Sequence, residues 1–193
     1  MIIINAAIKE FVQRGFEKAS TNEIVKDAGI SKGSLFNYFN SKKDLYAYLI
    51  EYSIQVIEKI FERIDLNETD LFKRIEHIAL EKFHIQQRYP QVFDFLVASQ
   101  QEESAEVKEM IDRNVVPIYN LSTEKLYENI DYSRFREGID VEKAIEILNW
   151  TMIGFGQKGI SQISTFENIG DFGEQYFEEW KRYAEILKYS FYK

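Results

Sequence analysis

Lys32, Ser34 and Asn37 lie close together near the start of the chain and are the slim polar types that reach the base edges of duplex DNA. In the major groove guanine presents acceptors, while adenine presents a donor beside an acceptor. A lysine answers the first, an asparagine amide the second, and a serine hydroxyl serves either. Gly33, between them, lets a duplex backbone come close. Such side chains read sequence only if a rigid element holds them out.

The stretch Ser20–Phe39 supplies that element as two short helices joined by a tight turn. Ser20 and Glu23 fit a reciprocal capping box, so a helix starts near Thr21. Ile24, Val25 and Ala28 give it an apolar side, and Gly29 stands where the chain must turn through left-handed angles. Ile30 plugs the turn and Ser31 caps a second helix. Leu35 and Phe39 anchor that helix, leaving Lys32, Ser34, Asn37 and Tyr38 outward. Ahead of this pair, Ile4, Ala7, Ile8, Phe11, Val12 and Gly15 recur at helical spacing and predict a brace ending at Gly15. Behind it, Ser41 and Asp44 make another cap. Leu45, Leu49, Tyr52, Val56, Ile60 and Ile64 then run down one face of a long helix.

Taken in order, Ala6, Ala7, Phe11, Gly15, Phe16, Thr21, Ile24, Ala28, Gly29, Ser31, Gly33, Leu35, Tyr38, Phe39, Lys42, Lys43 and Leu45 give a run that resembles the DNA-binding domain of the TetR (tetracycline-repressor-like) family. The resemblance covers about a quarter of the chain, and its specificity lies in many positions agreeing in order and spacing. It implies an operator reader at Lys32, Gly33, Ser34 and Asn37. Phosphate anchors are implied at Ser20, Thr21, Tyr38, Lys42 and Lys43. Phe36 stands where the family often has tyrosine, and is left packed inward or lying against a sugar. For the remainder, the family implies a helical ligand and dimer domain, with an effector cavity among the middle helices. Phe83, Phe93, Phe95, Tyr119, Tyr127, Trp150 and Phe155 are the aromatic candidates to line it, although aromatic residues of this kind mostly serve a core.

The fold class expected is all-α: residues 1–45 as a three-helix head and residues 46–193 as a larger helical body. The 193 residues hold no cysteine, only two prolines and nine glycines, so disulfides and thiolate metal sites are excluded and long helices are permitted. Residues 1–50 carry seven basic and five acidic side chains, a balance of +2. The rest hold 17 basic and 27 acidic, a balance of −10. An acidic body repels duplex everywhere except at a mildly basic head. An ordinary acidic surface accounts for the same numbers. The opening MIIINAAIKE turns polar too soon for a signal peptide, and no apolar run approaches the ~20 residues of a membrane span, so a cytoplasmic protein is expected.

In the body, helices are expected over Leu71–Arg88, Gln91–Gln100, Ala105–Ile130, Val141–Ile163 and Asp171–Tyr192, with Pro117 kinking or splitting the third near Asn114. In the last two, one stripe runs through Ile145, Leu148, Met152, Phe155 and Gly159, another through Tyr176, Trp180, Tyr183, Leu187 and Phe191. They either meet a second copy in a four-helix bundle or serve the internal core. The first is expected, because a helix-turn-helix reader needs a two-fold partner to span two half-sites.

Two further patterns are set aside. Gly154–Gly159 matches GxGxxG letter for letter, but no strand precedes it, so close helix packing replaces dinucleotide binding. His77, Glu81 and His84 share a helix face and could ligate a divalent metal, yet they lie opposite the apolar stripe beside Lys73, Arg74 and Arg88, as a solvated face would. Neither a cofactor nor a metal is expected. No nucleophile–base pair or P-loop suggests an enzyme. The leading reading is a homodimeric repressor that leaves a palindromic operator when a small molecule binds. A helical small-molecule-binding protein with weak DNA affinity is the alternative, motivated by Phe36 and by the absence of a basic arm before the first helix.

Overall fold

Apolar residues at three- and four-residue intervals carry through to the computed structural model, which describes residues 2–162 and 169–193. Among them the regular elements are helical, apart from one isolated antiparallel bridge between Phe135 and Tyr192. The α-helices are α1 (Ile2–Lys18), α2 (Thr21–Asp27), α3 (Lys32–Phe36), α4 (Lys42–Phe61), α5 (Leu71–Arg88), α6 (Pro90–Gln100), α7 (Ala105–Tyr127), α8 (Val141–Gln162) and α9 (Ile169–Phe191), with one 3-10 turn at Tyr132–Arg134. No helix among the described residues is long and apolar enough to cross a membrane. α7 runs through Pro117 without splitting. Proline there removes one N–H, and the flanking turns continue around the gap.

The chain forms two compact units: Met1–Glu62 with Arg88–Glu124, and Arg63–Gln87 with Lys125–Lys193. In the first, Phe11 and Phe16 of α1, Tyr46 of α4 and Phe95 of α6 meet edge-on, with ring centres 4.9 Å apart for Phe11–Tyr46, 5.3 Å for Phe16–Tyr46 and 5.1 Å for Tyr46–Phe95. Such pairs add about 0.5–1.5 kcal/mol each beyond their burial. α4 buries Leu45, Tyr46, Leu49, Ile50, Ser53, Val56 and Ile60 and ends at Phe61, before the expected Ile64. α1 is interrupted at Gly15, whose φ of +70° and ψ of 171° are not helical, and one further turn follows it.

In the second unit Leu71, Phe72, Ile75, Leu148, Phe155, Trp180 and Phe191 form the core, with Met152, Tyr176 and Leu187 packed against it. Leu148, Met152, Phe155, Tyr176, Trp180, Leu187 and Phe191 of the two stripes expected to meet a second copy therefore serve this core, while Tyr183 is exposed. A helix pair must first satisfy its own core, and these residues do so. Gly159 does permit close packing: a β-carbon there would stand 2.5 Å from the Tyr176 ring, whose hydroxyl donates to the Phe155 carbonyl at 2.5 Å. The GxGxxG letters lie wholly inside α8.

Arg74, expected on a solvated face, is 1% exposed. Its Nε and Nη2 donate to Glu68 O, Nη2 also to Leu66 O at 3.2 Å, and Nη1 to Lys125 O and Glu128 O at 2.9 and 3.0 Å. The guanidinium thus gathers the carbonyls of the α4–α5 loop and of the end of α7, which would otherwise lie unpaired. Asp70 at the start of α5 accepts from the Phe72 N–H at 3.0 Å and faces Arg134 and Lys188 at 3.3 and 3.5 Å.

Two outcomes follow for stability. Arg74→Met is expected to cost about 3 kcal/mol in urea unfolding, since several partly buried carbonyls lose their donor at once; an unchanged midpoint would mean those carbonyls find other donors. On α6, burial pushes the Asp94 carboxyl up to about 6. Its ionised form is the disfavoured one, so this group's contribution is favourable below an ordinary carboxylate value near 4 and is lost as pH rises to about 6. Asp94→Asn is therefore expected to stabilise by about 1–2 kcal/mol at pH 8 and by little at pH 4, as read from unfolding midpoints at the two pH values.

Candidate nucleic-acid interface

The outward face of α3 is set by its inward anchor. Leu35 is fully buried and Phe39 half-buried. Ser31, in extended backbone, caps the helix: its Oγ accepts the Ser34 N–H at 3.1 Å and lies 2.8 Å from the Ser34 Oγ. Gly29, at φ +65°, makes the turn that brings α3 across α2, closed by the Ile30 N–H donating to Val25 O at 3.0 Å. With Leu35 directed inward, the opposite side exposes Lys32, Gly33, Phe36, Asn37 and Tyr38, and Ser34 is half-exposed. Tyr38 is 76% exposed.

α3 is shorter than the Ser31–Phe39 rod expected. It stops at Phe36, and Asn37 caps it, its N–H donating to Gly33 O at 3.0 Å. Asn37 and Tyr38 therefore stand on the exit turn. Phe36 is not packed inward; it is exposed, with the Lys32 ammonium 5.9 Å from its ring centre.

Around α3 the anchors divide. Lys43 is exposed in the first turn of α4, behind the Ser41 cap, whose Oγ accepts the Asp44 N–H at 3.0 Å. Lys42 turns to the protein instead. Its ammonium donates to Glu17 O and Ala19 O at 3.0 and 3.2 Å and lies 4.6 Å from the Phe16 ring centre, closing the end of α1. Thr21 opens α2 and is half-exposed. The Ser20–Glu23 capping box is not formed. Ser20 makes no side-chain cap bond, and its N–H donates to Glu10 Oε1 at 3.0 Å. Glu23 faces Lys26 at 3.8 Å. A carboxylate from α1 has taken the role that local spacing gave to Glu23, because α1 packs along α2 and brings Glu10 to that N–H.

The aromatic candidates for an effector cavity are not gathered in one unit: Phe93 and Tyr119 belong to the first, Phe83, Tyr127, Trp150 and Phe155 to the second. Trp150 is 65% exposed, and Phe155 lies in the core, stacked on Tyr176 at 4.2 Å. Tyr127 donates to Asn149 Oδ1 at 2.5 Å, and burial pushes its phenol up to about 12. Glu81 is committed to Arg63 at 3.0 Å, with His84 Nδ1 at 4.0 Å. Among the described residues no cluster of three or more imidazole and carboxylate groups suits a metal.

Sequence reasoning missed Glu10 and Glu102, which bind backbone N–H groups at Ser20 and Phe16. Glu102 is 86 positions from its partner, a separation at which local patterns carry no signal. The Gly15–Phe16 pair is the one local hint, since a glycine inside an apolar helix marks a break that strands an N–H.

Comparison with known proteins bears on this face directly. Residues 3–49 match the family model described as "Bacterial regulatory proteins, tetR family". A transcriptional regulator of helix-turn-helix type from Bacillus subtilis, YdgC, is 38% identical over 77 residues, spanning 38% of this chain and 40% of that protein. The fatty acid metabolism regulator protein of the same species is 24% identical over 154 residues, or 79% of this chain and 78% of the relative. Among solved structures, a TetR family transcriptional regulator from Chloroflexus aurantiacus superposes with a TM-score of 0.65 at 20% identity, covering 100% of this chain and 92% of that one. The transcriptional regulator FadR from Bacillus subtilis, solved in complex with stearoyl-CoA, gives 0.53 at 19% identity, covering 92% and 95%.

Proposed function

Over residues 3–49 the chain carries the helix-turn-helix domain of the tetR family of bacterial regulatory proteins, and from that premise we propose that it is a homodimeric, ligand-responsive repressor acting on a palindromic operator in the cytoplasm. The observation that carries this reading is the exposed row Lys32, Ser34, Asn37 and Tyr38 around a helix capped by Ser31 and pinned by Leu35. Residues 1–45 read the duplex, and residues 46–193 bind the effector and the second copy. Base contacts come from Lys32, Ser34 and Asn37, with Gly33 allowing close approach. Ser20, Thr21, Tyr38 and Lys43 hold phosphates. Lys42 serves the duplex indirectly, by fixing the start of α4 to the end of α1.

Dimerisation uses the faces of α8 and α9 that their own core leaves open. Ile147, Trp150 and Ile153 on α8, with Tyr183, Ile186 and Tyr189 on α9, are large apolar residues that remain exposed, up to 86% for Tyr189. Each trio repeats every three residues, which keeps it on one side of its helix. Pairing them across a two-fold axis covers an apolar patch that a lone chain leaves in water and sets two readers one duplex turn apart.

The effector is assigned to the long-chain acyl-CoA class. Support comes from the relatives: one is a fatty acid metabolism regulator, and another binds stearoyl-CoA in its solved structure. A ligand of this kind releases the operator only by favouring a body conformation in which the readers stand at the wrong separation.

Selection of bound sequences from random duplex, repeated with stearoyl-CoA and with free CoA, tests the whole reading; a palindrome lost only with the acylated ligand is expected. On that operator, Lys32→Ala or Asn37→Ala is expected to cost about 1–3 kcal/mol, whereas Lys43→Ala weakens all duplexes alike and lowers the salt slope by about one. If these three variants bind every duplex like the parent, the reader lies elsewhere. Trp150→Glu is expected to give a monomer in sedimentation with at least tenfold weaker operator binding, and a dimer that persists would move the interface off α8.

A further inference from the structure

Phe16 follows the break at Gly15, so α1 offers its N–H no carbonyl. Glu102, in the turn between α6 and α7 of the same unit, supplies the acceptor: Oε2 takes the Phe16 N–H at 2.6 Å while Oε1 takes the Ser104 N–H at 2.9 Å. A β-carbon on Gly15 would stand 3.2 Å from that Oε2, a tight contact, and the positive φ at this break favours glycine. A charged acceptor roughly doubles the strength of such a bond. The carboxylate is nevertheless half-buried, and it borders a cavity of about 160 Å³ lined also by Phe11, Val12, Tyr46 and Phe95.

The turn that Glu102 holds is the seat of the reader. Glu17 O and Ala19 O in and beside it receive the Lys42 ammonium at the start of α4, and Ser20 next to it opens α2 under the Glu10 carboxylate. α2 therefore follows, and the start of α4 is tied to, a short segment whose first N–H is fixed by a residue far outside positions 3–49, to which the family model is confined.

We propose that Glu102 is a positioning residue for operator recognition: its carboxylate, bridging the Phe16 and Ser104 N–H groups, fixes the turn after Gly15 and so the register of α2, α3 and α4 on the duplex. The proposal rests on the duplex-binding reading given above. Displacing this turn misplaces the base contacts that tell one sequence from another, so the loss falls on the operator more than on random duplex, whose binding is mostly to phosphate.

Glu102→Ala and the isosteric Glu102→Gln, which keeps one acceptor and turns the other into a donor facing an N–H, are tested in the full chain against the selected operator and a random duplex, with amide exchange followed at Phe16. Glu102→Ala is expected to lose at least tenfold on the operator and less than twofold on random duplex, with Phe16 exchange at least tenfold faster and sedimentation unchanged. Glu102→Gln falls between, and it carries the test if the alanine variant does not fold. Parental operator affinity combined with fast Phe16 exchange, or equal loss on both duplexes, overturns the proposal. A parent that binds no duplex overturns the regulator reading instead, and Phe16 exchange still reports whether the carboxylate holds the turn.

Discussion

A chain built from helices must find partners for the N–H and carbonyl groups stranded at every helix end and at every break inside a helix. In this protein charged side chains from other elements provide many of them. Glu10 answers Ser20, Glu102 answers Phe16 and Ser104, Lys42 answers Glu17 and Ala19, and Arg74 answers Leu66, Glu68, Lys125 and Glu128. Each is a charge-assisted bond, stronger than its neutral counterpart and costly to leave unmade. The junctions between helices are consequently the places where stability and geometry are decided, more than the helices themselves.

That constraint explains which parts of the fold can be read from sequence. Helix existence follows from apolar spacing and was legible for every long element, and the caps at Ser31 and Ser41 were legible because donor and acceptor lie three residues apart. Where partner and end are distant in sequence the reading fails. Ser20 looked like half of a capping box with Glu23, yet its N–H is bound by Glu10 because α1 lies alongside. Arg74 looked solvated beside Lys73 and Arg88, yet it is among the most buried residues, because four carbonyls converge on it. The outward position of Lys32, Ser34 and Asn37 was legible for the opposite reason: the inward pull of Leu35, one residue away from Ser34, fixes all of them locally.

The last two helices show a different limit. Their strongest apolar stripes, through Leu148 and Phe155 and through Trp180 and Leu187, face the core of their own unit, while Ile147, Trp150, Ile153, Ile186 and Tyr189 lie in water. Periodicity cannot separate the two, since an apolar residue every three or four positions marks a face without saying what covers it. A helix apolar on two sides has two faces to bury, and a single unit of this size supplies cover for one. The second face is the one the proposed two-fold pairing would cover.

Charge bears on how the proposed dimer would address DNA. The −10 of residues 51–193 against the +2 of residues 1–50 gives attraction only at the head, and a weak one. With Lys42 turned to α1 and Lys9 paired to Asp27 at 3.3 Å, the cations left for phosphate are fewer than that balance suggests. Counterion release, which scales with the number of phosphates neutralised, is then a small term for each head. In the proposed dimer, affinity comes from two heads bound together and from base contacts made in register. A reader so poor in charge depends on geometry, which is why the proposal above gives weight to the acceptors at the helix junctions of the first unit.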